Sequence, residues 1–312
     1  MPSDGGIAYL STMPDEVPLQ GPDWFRKALA VTPESATVEV LGCAIHHLLW
    51  GEAGRPGLLF VHGGAAHAHW WSFIAPLFTP EYRVAAIDLS GHGDSGRRDA
   101  YPRETWAEEV MAVADAAGFD GPPIVIGHSM GGFVTIATAA AHGDRIAGAV
   151  VLDSPVRRPD PEAMEGDRGK AFRNPKVYPD ADTAMRHFRT VPDQPSSEPW
   201  ILDHVGRRSL REVEGGVTWK FDPVIFRRET PRAGHELLAS VRSRFALFRA
   251  ENGLVTPDIG EYMYELLGRN APVIEIPEAY HHMMLDQPLL LVTGLRTLLA
   301  DWEHSLPRGR KR

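Results

Sequence analysis

The sequence predicts an α/β protein built on a mostly parallel, doubly wound sheet. Short apolar runs at residues 58–61, 82–88, 124–126 and 146–152 alternate with stretches of helical periodicity. That is the pattern of strands buried on both faces and joined by crossover helices. Two runs end in loops rich in Gly, His, Asp and Ser, namely His62-Gly63-Gly64 and Asp88-Leu89-Ser90-Gly91-His92-Gly93-Asp94-Ser95. In an open sheet of this kind ligands bind outside the carboxyl ends of the strands, so the chemistry is expected in such loops.

Residues 1–35 are rich in Pro and Gly, with one short helical signal at 23–29, and read as an N-terminal extension. Residues 37–50 read as a β-hairpin turning at Leu41-Gly42, followed by the strands at 58–61 and 82–88. The stretch 104–117 has helical periodicity, with Trp106, Val110 and Val113 on one face. After the strand at 146–152 the alternation stops. Residues 155–235 hold Pro, Arg, Trp and short helical patches, and carry 15 Lys/Arg against 13 Asp/Glu while the rest of the chain is clearly acidic. This change of character reads as an inserted helical cap. The sheet pattern resumes at 244–249, then a helix from 257, a strand at 272–276 and a helix at 288–302. The core is thus assigned to 36–154 and 236–304, the cap to 155–235 and a basic tail to 305–312.

The run Ile124-Val125-Ile126 passes directly into Gly127-His128-Ser129-Met130-Gly131-Gly132 and a small-residue helix. A strand entering G-x-S-x-G and leaving as a helix is the context of a nucleophile elbow, with Ser129 exposed on a strained turn. Gly127 and Gly131 remove the Cβ atoms that would collide as strand and helix close together. A serine hydroxyl is a weak nucleophile at neutral pH and needs an oriented base. Of the 14 histidines, His281 and His282 follow the strand at 272–276, on the same edge of the sheet as Ser129.

Composition narrows the alternatives. A net charge of −9 disfavours nucleic acid as a partner. No apolar run approaches the roughly 18 residues of a membrane span, and the N-terminus lacks the basic start and apolar stretch of a secretory signal. Cys43 is alone, which excludes an internal disulfide and fits a reducing, cytoplasmic setting. His67-Ala68-His69 has the form of a metal pair, but no third ligand at suitable spacing accompanies it, so neither metal nor cofactor is expected.

Together, His62-Gly63-Gly64, Asp88 to Ser95, the Ser129 elbow and Glu278-Ala279-Tyr280-His281-His282-Met283-Met284-Leu285-Asp286-Gln287-Pro288 resemble the α/β-hydrolase fold superfamily in kind and order. The resemblance covers residues 36–152 and 240–302 and leaves the cap uncovered. It implies an α/β-hydrolase fold and a hydrolase of a small-molecule ester or lactone, working through an acyl-enzyme. The base in such enzymes often lies five residues before an acid and seven before a Pro, and counting back from Asp286 and Pro288 selects His281. The oxyanion amides would be those of Met130 and Gly64. The acid is implied either at Asp153, 24 residues after Ser129, or at Glu251, since the place near Gly253 where many members carry an aspartate has none. Candidate substrate contacts are Ala65, His67, Trp70, His128, Trp200, Trp219 and His282. His62, Asp88, His92 and Asp94 are expected to knit the loops together. Two other outcomes share the motif set: a carbon–carbon bond hydrolase of ring-fission products, and a ligand receptor with a surviving but idle triad.

Overall fold

The computed structural model describes residues 21–159, 175–195, 197–226 and 234–304. Its centre is an eight-stranded sheet in the order β1-β2-β4-β3-β5-β6-β9-β10. The strands are β1 (Glu34–Val40), β2 (Cys43–Trp50), β3 (Gly57–Val61), β4 (Arg83–Ile87), β5 (Ile124–His128), β6 (Gly148–Leu152), β9 (Phe245–Asn252) and β10 (Val273–Tyr280). β1 and β2 form the expected hairpin, with Leu41 and Gly42 both at positive φ. β2 runs antiparallel to β4, and every later neighbour is parallel.

Alternation along each strand divides the core in two. Leu59, Val61, Ala85, Ile87, Val125 and Val151 pack on one face with Trp106, Val110, Val134 and Met263. Those partners come from α2 (Arg103–Ala116), α3 (Met130–His142) and α7 (Pro257–Leu266). Leu58, Phe60, Val84, Ala86, Ile126 and Val150 pack on the other face with Phe25, Trp71, Ile201 and Leu295, drawn from α1 (Asp23–Leu29), a 3-10 turn (Ala68–Trp71), α5 (Pro199–Arg208) and α9 (Pro288–His304). A central strand with side chains buried on both faces therefore has no polar positions, which is why these runs read as continuous hydrophobics. Cys43 is one of these core side chains, buried in β2.

The segment between β6 and β9 departs from a purely helical expectation. It holds α4 (Ala181–Met185), α5 and α6 (Gly234–Ser240), but also a two-stranded hairpin of β7 (Leu210–Val213) and β8 (Gly216–Trp219). Its strands are four residues each and only part-buried, too short for alternation to signal them. The turn glycines Gly215 and Gly216, both at positive φ, were the available sign. No helix among the described residues is long and apolar enough to cross a membrane. The basic cluster Arg308 to Arg312 lies outside the described residues.

Candidate active site

β5 delivers Ser129 at φ 54° and ψ −117°, immediately before α3. A non-glycine residue with this backbone is strained, and the surroundings hold it there. A Cβ on Gly127 would sit 2.2 Å from the Gly131 carbonyl oxygen, and one on Gly131 would sit 2.4 Å from that of His62. Both glycines are thus required by close backbone approach. From the neighbouring strand, Ser154 Oγ donates to the Ser129 carbonyl at 2.8 Å.

Directly after β6 comes Asp153, a fully buried residue at φ 48°. Its Oδ2 accepts from His281 Nδ1 at 2.8 Å and from the Leu254 amide at 2.7 Å; Oδ1 accepts from the amides of Val255 and Ala250 at 3.1 and 3.3 Å. Burial alone would raise this carboxyl. The bond to His281, the imidazole's charge and the two loop amides overcome that and hold it below the ordinary aspartate range. Because a carboxylate only accepts, Nδ1 of His281 carries a proton, and Nε2 presents its lone pair to Ser129 Oγ at 2.9 Å. The β10 register shifts between Ile276 and Tyr280, and His281 follows directly after that irregularity.

Ser129, His281 and Asp153 therefore stand in one hydrogen-bonded row, drawn from three strand ends up to 152 residues apart in sequence. Glu251 lies elsewhere: it is exposed, and its carboxylate accepts from the Glu278 amide at 2.8 Å. Gly64 and Met130 adjoin each other, since a Cβ on Gly64 would lie 3.7 Å from Met130 Sδ. Ala65 follows at φ 58°. His128 is buried and donates from Nε2 to the His281 carbonyl at 2.9 Å, tying the elbow strand to the base's loop. Burial and the neighbouring His281 charge push His128 down to about 3, so it is neutral at physiological pH. His282 lies against Trp70, with ring centroids 5.6 Å apart, and its amide donates to Gln194 Oε1 at 2.9 Å.

Three other expected contacts sit apart from this row. His67 Nε2 pairs with Ser209 Oγ at 2.9 Å, joining the loop after β3 to the end of α5. Trp200 packs on Trp24 and Phe25 of α1. Trp219 packs against Tyr178 and Phe188. Conversely, Phe226 was not anticipated, yet it approaches to 3.3 Å of a Cβ position on Gly64. A phenylalanine at the end of a short 3-10 turn carries no periodic signal to reveal it. Asp88 behaves as the loop-knitting residue expected, accepting from Ala68 N at 2.6 Å, His46 Nδ1 at 2.7 Å and Asp94 N at 2.9 Å.

A family model described as alpha/beta hydrolase family matches residues 58–293. The chain belongs to the alpha/beta hydrolase family. Among curated proteins, lipase LipV of Mycobacterium tuberculosis is 36% identical over 124 residues, 40% of this chain and 44% of that protein. The serine hydrolase-like protein of Danio rerio is 26% identical over 267 residues, 77% of this chain and 80% of that one. Matches to the first few curated relatives are local, covering at most 44% of their length. Among solved structures, the thioesterase domain from the curacin biosynthetic pathway superposes with a TM-score of 0.72 at 22% identity, covering 85% of this chain and 99% of that one. At that identity the likeness speaks for the fold alone.

Proposed function

We propose that this chain is a hydrolase that cleaves a small-molecule ester or lactone through an acyl-enzyme on Ser129. The hydrogen-bonded row Ser129–His281–Asp153 carries the reading. Ser129 Oγ attacks the substrate carbonyl as its proton passes to Nε2 of His281. Asp153 holds the imidazole in that tautomer and stabilises its cationic form. The amides of Gly64 and Met130 are assigned to the oxyanion, where each donor is worth about 10²–10³ in rate in comparable sites. The imidazolium returns its proton to the leaving alkoxide, and water then attacks the acyl-serine with His281 as base again. Two of the relatives, a lipase and a serine hydrolase-like protein, support this class.

The segment between β6 and β9 is read as a cap, with Phe226 reaching the Gly64 loop. A serine nucleophile also argues against chemistry that needs a carboxylate nucleophile at the elbow. The experiment is a panel of p-nitrophenyl esters of increasing acyl length, run beside lactones and acyl thioesters, on wild type and Ser129→Ala. The reading requires turnover that vanishes in the variant, and a fluorophosphonate adduct located on Ser129 by mass spectrometry. Turnover that survives in folded Ser129→Ala overturns it. A fluorophosphonate adduct without turnover on any substrate class supports the idle-receptor alternative.

A further inference from the structure

Three imidazoles crowd together beside Ser129. One ring nitrogen from each of His128, His281 and His282 lies within 4.8 Å of one from each of the others, and all three residues are buried. Their ring centroids are 4.7, 5.3 and 4.8 Å apart in pairs. The row described above occupies His281, and the bond to the His281 carbonyl occupies Nε2 of His128. His282 is different: it is 6% exposed, and among the described residues neither of its ring nitrogens has a hydrogen-bond partner. Buried polar atoms without partners are costly and ask for an explanation. The carbonyls of Val191 and Pro192 act on this ring only from outside hydrogen-bonding geometry.

We propose that His128, His281 and His282 form a binding site for a borderline-soft divalent cation, Zn²⁺ foremost, whose occupancy switches the hydrolase off. The donor set is all imidazole nitrogen, which suits Zn²⁺, Ni²⁺ and Cu²⁺ and not Mg²⁺ or Ca²⁺. Metal-bound histidines almost always donate their second N–H to a carboxylate or backbone carbonyl. Two of the three already do: His281 to Asp153 Oδ2, and His128 to the His281 carbonyl. Those bonds leave Nδ1 of His128 as an acceptor, and Nε2 of His281 engaged with Ser129 Oγ in a bond that the metal would replace. A Cβ on Gly63 would lie 3.1 Å from His128 Nδ1 and 3.4 Å from Ser129 Cβ, so Nδ1 sits close to the elbow. With Zn–N near 2.0–2.1 Å, tetrahedral nitrogens stand about 3.4 Å apart. Closure from 4.8 Å needs shifts of about 1 Å, and His282 breaks no hydrogen bond in making them.

A second grouping, His46, Asp88 and Asp94, serves as contrast. There His46 Nδ1 is bound to Asp88, and Asp94 pairs with Lys220 at 2.7 Å, so its members are already satisfied. Binding at the three histidines stands independently of the catalytic reading; only its inhibitory effect rests on His281 being the base. A metal on Nε2 takes the lone pair that would accept the Ser129 proton.

The test is a Co²⁺ titration followed by visible d–d absorption, with Zn²⁺ competition, on the full chain. Ser129→Ala should bind as wild type does. His282→Gln and His128→Gln should each weaken binding by about 10- to 100-fold, while His46→Gln should not. X-ray absorption on Zn²⁺-loaded wild type should show three imidazole nitrogens, which keeps the test independent of how the variants fold. Unchanged affinity in folded His282→Gln, or fewer than two imidazoles on zinc, overturns the site. In the hydrolysis assay, Zn²⁺ should inhibit wild type reversibly, with chelator restoring activity. Binding that leaves hydrolysis unaffected would uphold the site and refute His281 as base.

Discussion

A Cβ on Gly253 would stand 2.4 Å from Oδ2 of Asp153. The loop after β9, where many relatives carry their acid, thus touches the very carboxylate that β6 supplies. The two positions address one point in space, the Nδ1 side of His281. Once Asp153 fills it, residue 253 has to be small. The absent aspartate near 253 and the aspartate at 153 are one observation seen from two strands.

The acid is tested by shape-preserving variants. Asp153→Asn removes the charge that stabilises the imidazolium and favours the wrong tautomer, so kcat should fall at least ~100-fold with little change in substrate binding. Glu251→Gln should cost less than about tenfold, because its carboxylate is exposed and accepts from the Glu278 amide rather than from His281. Steady-state kinetics on both, with circular dichroism to confirm folding, decide it. The reverse order would move the acid to Glu251.

Gly253→Ala probes the same contact from the other side. The added methyl must displace the Asp153 carboxylate or the loop amides that grip it. A displacement on the order of 1 Å at such a site is worth about 10²-fold in rate. We expect kcat to fall by about 10- to 100-fold while the thermal midpoint drops only a few degrees. Equal kinetics in the two proteins would mean that the loop yields freely.

Asp286 provides a stability prediction. Burial is the main cause that raises its carboxyl to about 6, against the Tyr280, Asp286 and Gln287 amides that lower it. Tyr280 N donates to Oδ2 at 2.7 Å, while Oδ1 is buried without a partner among the described residues. Its folded value exceeds its unfolded one, so the native state holds a proton that the unfolded chain has released. The group therefore stabilises below about pH 4 and loses that contribution as pH rises towards about 6. Asp286→Asn keeps an acceptor for Tyr280 and removes the charge. In urea titrations its stability relative to wild type should increase between pH 4 and pH 6.5, then level off. A constant difference across that range would rule out the titration.

The segment between β6 and β9 makes opposite predictions for two aromatics. Trp200 packs in a cluster with Trp24 and Phe25, so Trp200→Ala should cost about 2 kcal/mol, less than the 3–5 of a fully buried Trp. It should leave acyl preference unchanged. Phe226 adjoins the Gly64 loop, so Phe226→Ala should shift the ratio of kcat/KM between short and bulky acyl esters by about tenfold or more. Parallel effects on every ester would assign Phe226 a packing role.

Local pattern carried much of this protein. Strand and helix identities, their order and the parallel sheet follow from apolar runs and periodicity, because a strand buried on both faces can hold little else. Ser129 was legible because the elbow is a contiguous strand–turn–helix whose glycines are imposed by backbone contacts within eight residues of chain or with the adjacent β3. His281 was singled out by the resemblance, whose spacing from base to acid and proline falls on Asp286 and Pro288. Other features belong to the tertiary structure alone. Which of the carboxylates of Asp153 and Glu251 reaches Nδ1 of His281 is set only when β6, β9 and β10 are laid side by side. The β7–β8 hairpin, the approach of Phe226 and the grouping of His128 with His281 and His282 likewise arise between segments far apart in sequence. Periodicity reports which face of an element is buried; it carries no information on which distant side chain it will meet, since that is set by how the sheet is ordered and by the contacts that close across it.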